Sequence, residues 1–243
     1  MDPHSQPPAP KRETRPGGAL LRRAVRAVWR RVMWVLWRLM AVMLALVAIF
    51  AFINPPTTWT IMSETRAHPG IDRVWVPADR IAPVMLRAVV AAEDANFCRH
   101  WGFDMSEIRK VIASGSNRGA STLTQQTAKN VFLWQGRSWP RKFLETLWTP
   151  MIEALWSKRR IVEVYLNVAE FGPGVMGVGA AARYYFDTTP DRLTAMQAAR
   201  LAAALPAPKA RDPRSRAVAG RARAIADGAA TIARDGRDDC LRP

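Results

Sequence analysis

Residues 83–102 read PVMLRAVVAAEDANFCRHWG, and this stretch decides the fold class of the chain. Its apolar residues recur at spacings that fit one face of a helix, and the pattern predicts that this helix ends near Glu93 and Asp94. A carboxylate at the end of an apolar helix faces a partly desolvated cleft, where it can act as a general acid or base near neutral pH. Glu93 is therefore the leading catalytic candidate. The alternative is that the acidic pair simply ends a helix on a solvated face.

Further helices are predicted on the C-terminal side of this stretch. The helical pattern breaks around residues 115–119 and resumes at Thr122, which forms a capping box with Gln125 at the start of the helix TLTQQTAKNVFL. Neither internal repeats nor a convincing alternating strand pattern is apparent, so the domain should be mainly α-helical. The remaining helices are expected at 141–157, 158–169, 176–186 and 194–204.

The N-terminal part contains an apolar run at residues 32–53, VMWVLWRLMAVMLALVAIFAFI. As a helix this run would rise about 33 Å, enough to cross a bilayer core of about 30 Å. Its one charge, Arg38, lies beside Trp34 and Trp37 and can reach the headgroups, so it is interpreted as an interfacial residue. The alternative is the buried core helix of a soluble protein. The Pro- and Arg-rich residues 1–31 predict an irregular basic tail, and residues 54–80 predict an extended linker.

The charge pattern predicts how the chain is inserted. The formal net charge of +16 is compatible with nucleic acid, anionic lipid or an anionic substrate as partner. The excess is spread along the chain rather than held in one arm, so no nucleic acid is expected. Arginines crowd the N-terminal flank of the apolar run, so the positive-inside rule predicts a cytoplasmic tail (1–31), an uncleaved transmembrane anchor (32–53) and an exported domain (54–243).

The cysteines and histidines suggest no metal site. Cys98 and Cys240 would lie in an oxidising compartment, and two small buried or free thiols are the default expectation, with a disulfide as the alternative. Three histidines without close Cys/His spacing do not indicate a zinc site.

A second motif, GASTLTQQTAKN at residues 119–130, offers polar groups at a helix start. Helix capping does not explain why paired amides precede a Lys-Asn pair. Amides and hydroxyls at a helix N-terminus suit sugar hydroxyls and phosphate oxygens, and Lys129 lies one turn after Gln125 on the same face. The predicted substrate-binding residues here are Ser121, Thr122, Gln125, Gln126, Lys129 and Asn130.

Two later motifs are ambiguous when taken singly. Arg141 and Glu145 are spaced i, i+4, as in an ordinary surface ion pair, and residues 158–167 could form a surface helix with Glu163 facing solvent. The combination is more informative. A glycosidase must protonate a poor sugar-alkoxide leaving group, whereas a diphosphate leaves as a stable anion and mainly needs cations. Lys129 and Arg141 therefore favour transfer of a sugar from a phosphate over hydrolysis.

With these motifs in view, the chain resembles the peptidoglycan glycosyltransferase family in its monofunctional, membrane-anchored form, a family related to the glycosyltransferase domain of class A penicillin-binding proteins. The resemblance covers roughly residues 60–205. It rests on four patterns in the family's order: E-D-x-x-F-x-x-H-x-G, G-A-S-T-x-T-Q-Q-x-x-K-N, R-K-x-x-E and K-x-x-I-x-E-x-Y-x-N.

The resemblance implies a lysozyme-like, mainly α-helical fold with a small jaw subdomain near residues 104–118 that dips into the outer leaflet of the inner membrane. The substrate would be lipid II, and the growing lipid-linked peptidoglycan strand would be the donor. Glu93 would deprotonate the 4-hydroxyl of the acceptor sugar, which attacks the donor's anomeric carbon with inversion to form a β-1,4 link. Lys129 and Arg141 would hold the departing undecaprenyl diphosphate. Glu145, the family's second catalytic acid, would orient these cations or help bind a metal.

The resemblance also sets expectations about cofactors, partners and location. No cofactor is required, although a divalent cation such as Mg²⁺ at the donor diphosphate is left open. The inner membrane and cell-wall synthesis proteins are the expected partners, and the catalytic domain should be periplasmic. The segment after Pro206 has no room for a transpeptidase domain, so no cross-linking activity is expected.

Two other functions remain open from the sequence. A membrane-bound lytic transglycosylase or muramidase would share the lysozyme-like fold and cut the same polymer. A non-catalytic membrane scaffold would have no use for the amides and cations of the second motif at their observed spacing.

Overall fold

The structure is a computed structural model, and it describes residues 17–68, 74–115, 119, 121–136 and 138–242, with side chains from residue 22 onward. Contacts divide the chain into two units, residues 1–45 and 46–243. The described residues are mostly helical, as the sequence predicts. They form the helices α1 (Gly17–Phe52), α2 (Trp59–Ala67), α3 (Pro83–Glu93), α4 (Met105–Ser114), α5 (Leu123–Phe132), α6 (Trp139–Leu155), α7 (Lys158–Val168), α8 (Gly177–Phe186), α9 (Ala195–Ala204) and α10 (Ala219–Arg234), and the strands β1 (Glu170–Gly172) and β2 (Val175–Met176).

Helix α1 contains the predicted membrane span and begins earlier than expected. Its segment from Arg22 to Phe52 is long and apolar enough to cross a membrane, by length and composition. Residues 17–31 are helical rather than irregular, because good helix formers such as Ala, Leu and Arg dominate them. The Arg38 guanidinium carbon lies 3.6 Å from the centre of the Trp34 ring, a cation–π contact that suits an interfacial position. Residues 1–16 of the predicted tail lie outside the described part.

The prediction of an extended linker at 54–80 is wrong for α2. The Thr58 hydroxyl accepts a hydrogen bond of 3.2 Å from the Ile61 backbone N–H and so caps the helix. Ile61 and Glu64 are buried. Of the prolines that suggested a linker, Pro55 and Pro56 stand just before this cap, where they mark a helix start, and Pro77 lies after α2. Residues 69–73 of the predicted linker lie outside the described part.

The core of the second unit is a packed group of α3, α9 and α10. Side chains from all three helices are fully buried in this group, among them Val89, Val90, Leu201 and Ala222. The many alanines of α9 let these helices approach closely, and close packing of buried side chains provides most of their stability. The sequence assigned no element after residue 204, yet α10 completes this core.

Helices α5, α6 and α7 form the second packed group, and α7 is not a surface helix. Glu163 is partly buried and accepts hydrogen bonds of 3.3 Å from Trp75 Nε1 and 3.0 Å from the Ala78 N–H. Asn167 bonds both the N–H and the carbonyl of Val76, at 2.8 and 2.7 Å. The interpretation of Glu163 as solvent-facing is therefore wrong, because this side chain holds the segment before α3.

A short antiparallel hairpin, β1–β2, follows α7. With three and two residues, its strands are too short to produce an alternating pattern in the sequence. Gly177 ends the hairpin with φ +79°, and a Cβ there would lie 2.9 Å from the Asn167 carbonyl oxygen. Only glycine fits this close approach without strain.

Residues 105–114 of the predicted jaw form α4, none of whose side chains is buried. Asp104 caps the helix by accepting from the backbone N–H groups of Ser106 and Glu107. Residues 116–118 lie outside the described part. Insertion of this segment into a membrane stays a prediction.

Cys98 and Cys240 form a disulfide, so the expectation of two free thiols is wrong. Their Cα atoms are 5.5 Å apart although they are separated by 142 positions in the chain. The sequence could not show this because the return of the chain end depends on α10. An ion pair of 3.3 Å between Arg87 and Asp238 holds the same segment against α3.

The disulfide should contribute substantially to the stability of the second unit. Replacing both cysteines by serine should lower the free energy of unfolding by about 2–4 kcal/mol, because a long loop in the unfolded chain is no longer closed. Urea unfolding in detergent measures this difference. Two reactive thiols in the denatured, unreduced wild-type protein, or equal stability of the two proteins, would contradict the assignment.

Candidate active site

Glu93 is the last residue of α3 and is mostly buried. Helix α3 ends there because Asp94 adopts an extended φ of −162°. One carboxylate oxygen, Oε2, accepts a hydrogen bond of 2.9 Å from Gln126 Nε2 on α5. The other, Oε1, is buried and has no hydrogen-bond partner among the described residues. That oxygen can accept a proton from a ligand.

The surroundings of Glu93 alter its acidity. Burial raises the pKa of Glu93 above its ordinary value of 4.5, while the hydrogen bond from Gln126 opposes the increase. The cations of Arg221, Lys129 and Arg211 also lower this pKa. Glu93 is therefore a stronger base than an exposed carboxylate, as the sequence suggested for a helix end in a desolvated cleft.

Asp94 joins the first motif to the second. Its Oδ2 accepts a hydrogen bond of 3.0 Å from the Leu123 N–H at the start of α5, and its Oδ1 lies 2.8 Å from His100 Nε2. The His100 carbonyl in turn accepts a hydrogen bond of 2.7 Å from Lys158, whose ammonium lies 4.3 Å from the centre of the Phe97 ring. The residues that flank Glu93 therefore hold the helices around it in place.

Thr122 and Gln125 form the predicted capping box of α5. The Thr122 hydroxyl also donates a hydrogen bond of 2.6 Å to the Gly102 carbonyl. Gly102 has φ +81°, and a Cβ at this position would lie 2.7 Å from Thr149 Cγ2, so glycine is required. The structure thus gives Thr122 and Gln125 a role in helix capping, and their predicted contact with substrate stays a prediction.

Lys129 is half-buried on α5, and its ammonium has neither a hydrogen bond nor an ion pair with the described residues. Burial lowers the pKa of Lys129, and the neighbouring cations of Arg141 and Lys142 lower it further, whereas Glu145 and Glu93 oppose this. Because an unpaired cation in a partly desolvated site is costly, an anionic ligand would be bound favourably there.

Arg141, Lys142 and Glu145 form an ionic cluster on α6, in which Arg141 and Glu145 are buried and Lys142 is partly exposed. Arg141 Nη1 lies 2.9 Å from Glu145 Oε2, and the Lys142 ammonium bonds both Glu145 Oε1 and, at 2.9 Å, the Ser121 hydroxyl. Glu145 is 2% exposed, so the interpretation as a surface ion pair is wrong. Lys142 was not among the predicted site residues, although it stands beside Arg141 in the R-K-x-x-E pattern.

A cleft of about 350 Å³ runs along α5 and is lined by Gln126, Lys129 and Asn130, together with Tyr165 and Lys209. Three of the predicted substrate-binding residues therefore share one cavity. Tyr165 was missed as well, although it is the aromatic residue of the fourth motif. Its hydroxyl donates a hydrogen bond of 3.1 Å to Gln126 Oε1.

One cluster, formed by Asp94, His100 and Asp104, brings potential metal-ligand atoms within 4.8 Å of one another. These atoms already have partners: Asp94 contacts His100, and Asp104 Oδ1 and Oδ2 accept from the Ser106 N–H and from Asn96 Nδ2, both at 2.9 Å. The cluster therefore acts as a structural link between the first motif and α4.

The buried charge of Glu93 should reduce stability. Because its folded-state pKa is raised, the folded protein binds a proton at Glu93 more tightly than the unfolded chain, and stability is lost as the pH rises above 4.5 and through the raised pKa. Glu93→Gln should therefore unfold at a higher urea concentration than the wild type at pH 7.5, and this difference should disappear near pH 4. Glu107→Gln on exposed α4 is the control. Equal midpoints for Glu93→Gln and wild type at pH 7.5 would contradict the assignment.

Comparison with known proteins identifies the family. Residues 60–230 match the family model described as Transglycosylase. A biosynthetic peptidoglycan transglycosylase of Jannaschia sp. (strain CCS1) is 56% identical over 203 residues, which cover 83% of this chain and 85% of that protein. Proteins of the same name are 43% identical over 217 residues in Caulobacter vibrioides, covering 84% and 94%, and 46% identical over 195 residues in Pseudomonas aeruginosa, covering 76% and 84%.

The family match extends beyond residue 205, where the resemblance seen in the sequence ended, and takes in most of α10. The mainly α-helical, lysozyme-like fold expected from the sequence is confirmed. This chain belongs to the transglycosylase family.

Proposed function

We propose that this chain is a peptidoglycan glycosyltransferase that polymerises lipid II into β-1,4-linked glycan strands. One observation carries the proposal: Glu93 has a buried, unpartnered Oε1, and Gln126, which donates to its other oxygen, lines the same cleft as Lys129. The names of the relatives support the same activity.

In the proposed reaction, Glu93 Oε1 accepts the proton of the acceptor sugar's 4-hydroxyl. The oxygen that loses this proton attacks the anomeric carbon of the donor from the face opposite the diphosphate. A carbon–oxygen bond forms as the bond from the anomeric carbon to the diphosphate oxygen breaks, so the configuration inverts. Desolvation supports this step because it makes the carboxylate more basic.

The departing diphosphate would be held by the cations of Lys129 and Arg141. Lys129 forms no ion pair with the described residues, although Glu145 and Glu93 act on it from a longer distance, and Arg141 Nε is buried without a hydrogen-bond partner there. Both groups can therefore donate to phosphate oxygens as negative charge develops on the leaving group.

Glu145 is better suited to position these cations than to act as a base. Both of its oxygens accept hydrogen bonds from cationic groups, those of Arg141 and Lys142. The same bonds leave no free carboxylate oxygen for a divalent cation, so the donor set at Glu145 does not fit a metal ion. No step of the proposed reaction passes through a metal.

The cation cluster also favours synthesis over lytic cleavage. A lytic enzyme must protonate a sugar oxygen that leaves, and a raised carboxyl pKa such as that of Glu93 would serve this as well. It would have no use for the three neighbouring cations Lys129, Arg141 and Lys142. A diphosphate requires such a cluster.

The catalytic unit is proposed to lie on the periplasmic side of the inner membrane. Helix α1 is long and apolar enough to span a bilayer, and arginines concentrate on its N-terminal side. By the positive-inside rule, that side remains in the cytoplasm.

Glu93→Gln should abolish lipid II polymerisation and leave lipid II binding nearly unchanged, because the amide keeps the shape of the side chain and cannot accept the proton. Gel analysis of glycan products and a binding assay with labelled lipid II measure the two effects. A folded, membrane-inserted variant that extends lipid II at the wild-type rate would exclude Glu93 as the base. Digestion of sacculi by the wild type, without extension of lipid II, would favour the lytic function.

Lys129→Ala should weaken both donor binding and turnover, because the ammonium contacts phosphate before and during the reaction. The loss in kcat/KM should correspond to about 2–4 kcal/mol. Lys110→Ala, on exposed α4, removes the same charge and serves as the control. Unchanged kinetics for Lys129→Ala would contradict its contact with the diphosphate.

A reporter enzyme that is active only in the periplasm should be active when fused after Pro243, because the arginine-rich flank keeps the N-terminus in the cytoplasm. The matching fusion to a reporter that is active only in the cytoplasm should be silent. The reverse pattern of activities would overturn the proposed orientation.

A further inference from the structure

The side-chain amide of Gln126 lies between Glu93 and Tyr165. Its NH₂ group donates to one of them, and its carbonyl accepts from the other. Its Nε2 donates to Glu93 Oε2 at 2.9 Å, and its Oε1 accepts from the Tyr165 hydroxyl at 3.1 Å. Tyr165 lies on α7 and is 2% exposed. Three helices, α3, α5 and α7, therefore meet in one chain of hydrogen bonds that ends at the candidate base.

The direction of this chain follows from the chemistry of its ends. An ionised carboxylate only accepts hydrogen bonds, so the NH₂ group of Gln126 must face Glu93. The carbonyl of the amide then needs a donor. Burial raises the pKa of Tyr165 well above 10.0, and the charge of Glu93 raises it further, so the phenol keeps its proton and donates it. If the amide were flipped, the Gln126 carbonyl oxygen would face the Glu93 carboxylate, and neither group could donate a hydrogen bond.

We infer that Tyr165 is a positioning residue for the transfer reaction, which acts through Gln126 to hold Glu93 in the orientation that leaves Oε1 without a hydrogen-bond partner among the described residues. This inference rests on the proposed function. It also adds a role to the one predicted for Gln126 from the sequence, because both the NH₂ group and the carbonyl of its amide are bonded within the protein. Gln126 lines the cleft and orients the base, and its contact with substrate stays a prediction.

The groups around Glu93 determine how its pKa should respond to loss of the Tyr165 hydroxyl. Arg221 of α10, Lys129 of α5 and Arg211 from the segment after α9 act on Glu93 as cations, and α7 contributes the neutral phenol of Tyr165. Without the phenol, the Gln126 amide can rotate away from Glu93. Glu93 then loses its single hydrogen bond among the described residues, and its pKa rises further while the three cations remain.

The test is the pH dependence of lipid II polymerisation by full-length Tyr165→Phe. Its kcat should fall roughly tenfold to a hundredfold, as expected for a misplaced reacting group, with KM within about twofold of the wild type. The acid limb of its rate profile should move to higher pH. Tyr185→Phe is the matched control, because this buried tyrosine donates to the Phe171 carbonyl at 3.1 Å and does not contact Glu93 or Gln126. Its profile should match the wild type.

A second variant tests the path through Gln126. Gln126→Ala should show the same shift of the acid limb, and adding Tyr165→Phe to it should cause little further loss, because both changes break one chain of bonds. Additive losses in the double variant, or an unshifted acid limb in an active, folded Tyr165→Phe, would overturn the inference. Failure of the wild type to polymerise lipid II would overturn the proposed function instead, so the two failures are distinguishable.

Discussion

The carboxylate of Asp94 joins the end of α3 to the start of α5, and the rest of the site depends on this joint. It accepts from the first backbone N–H of α5 and contacts His100, so the end of α3 and the start of α5 are tied together in a buried position. A negative charge at a helix N-terminus also interacts favourably with the unpaired N–H groups there. Because of this joint, Glu93 at the end of α3 lies opposite Gln126 in the second turn of α5. The disulfide between Cys98 and Cys240 also holds the loop that follows α3.

The site combines a desolvated base with partly compensated cations. Glu93 becomes more basic through burial, and Lys129 lies on α5 only three positions after Gln126, which contacts that base. Glu145 pairs with both Arg141 and Lys142 and so balances only one of their two charges, and Lys129 forms no ion pair with the described residues. The unpaired positive charge of Lys129 favours the binding of an anion close to Glu93, the group that takes up a proton. This arrangement of charges lowers the stability of the fold, as groups positioned for function commonly do.

Local signals in the sequence predicted the helices and the helix start of the site well. The apolar spacing before Glu93 and the capping box of Thr122 depend on neighbours in the chain, and both have the predicted form. Signals that depend on distant residues were missed. The disulfide required α10 to return the chain end to Cys98, and Glu163 appeared solvent-facing because its partner Trp75 is 88 positions away. Tyr165 was overlooked because its role exists only where α7 meets Gln126.

The central claim is that desolvated Glu93 is the base of the transfer reaction, and the pH dependence of kcat/KM for wild-type lipid II polymerisation tests it most directly. On the acid side, activity should fall as one group is protonated, with a midpoint above 4.5, the ordinary pKa of a glutamate, because burial raises the pKa of Glu93. A midpoint at or below 4.5, or no acid limb down to that pH, would contradict the account.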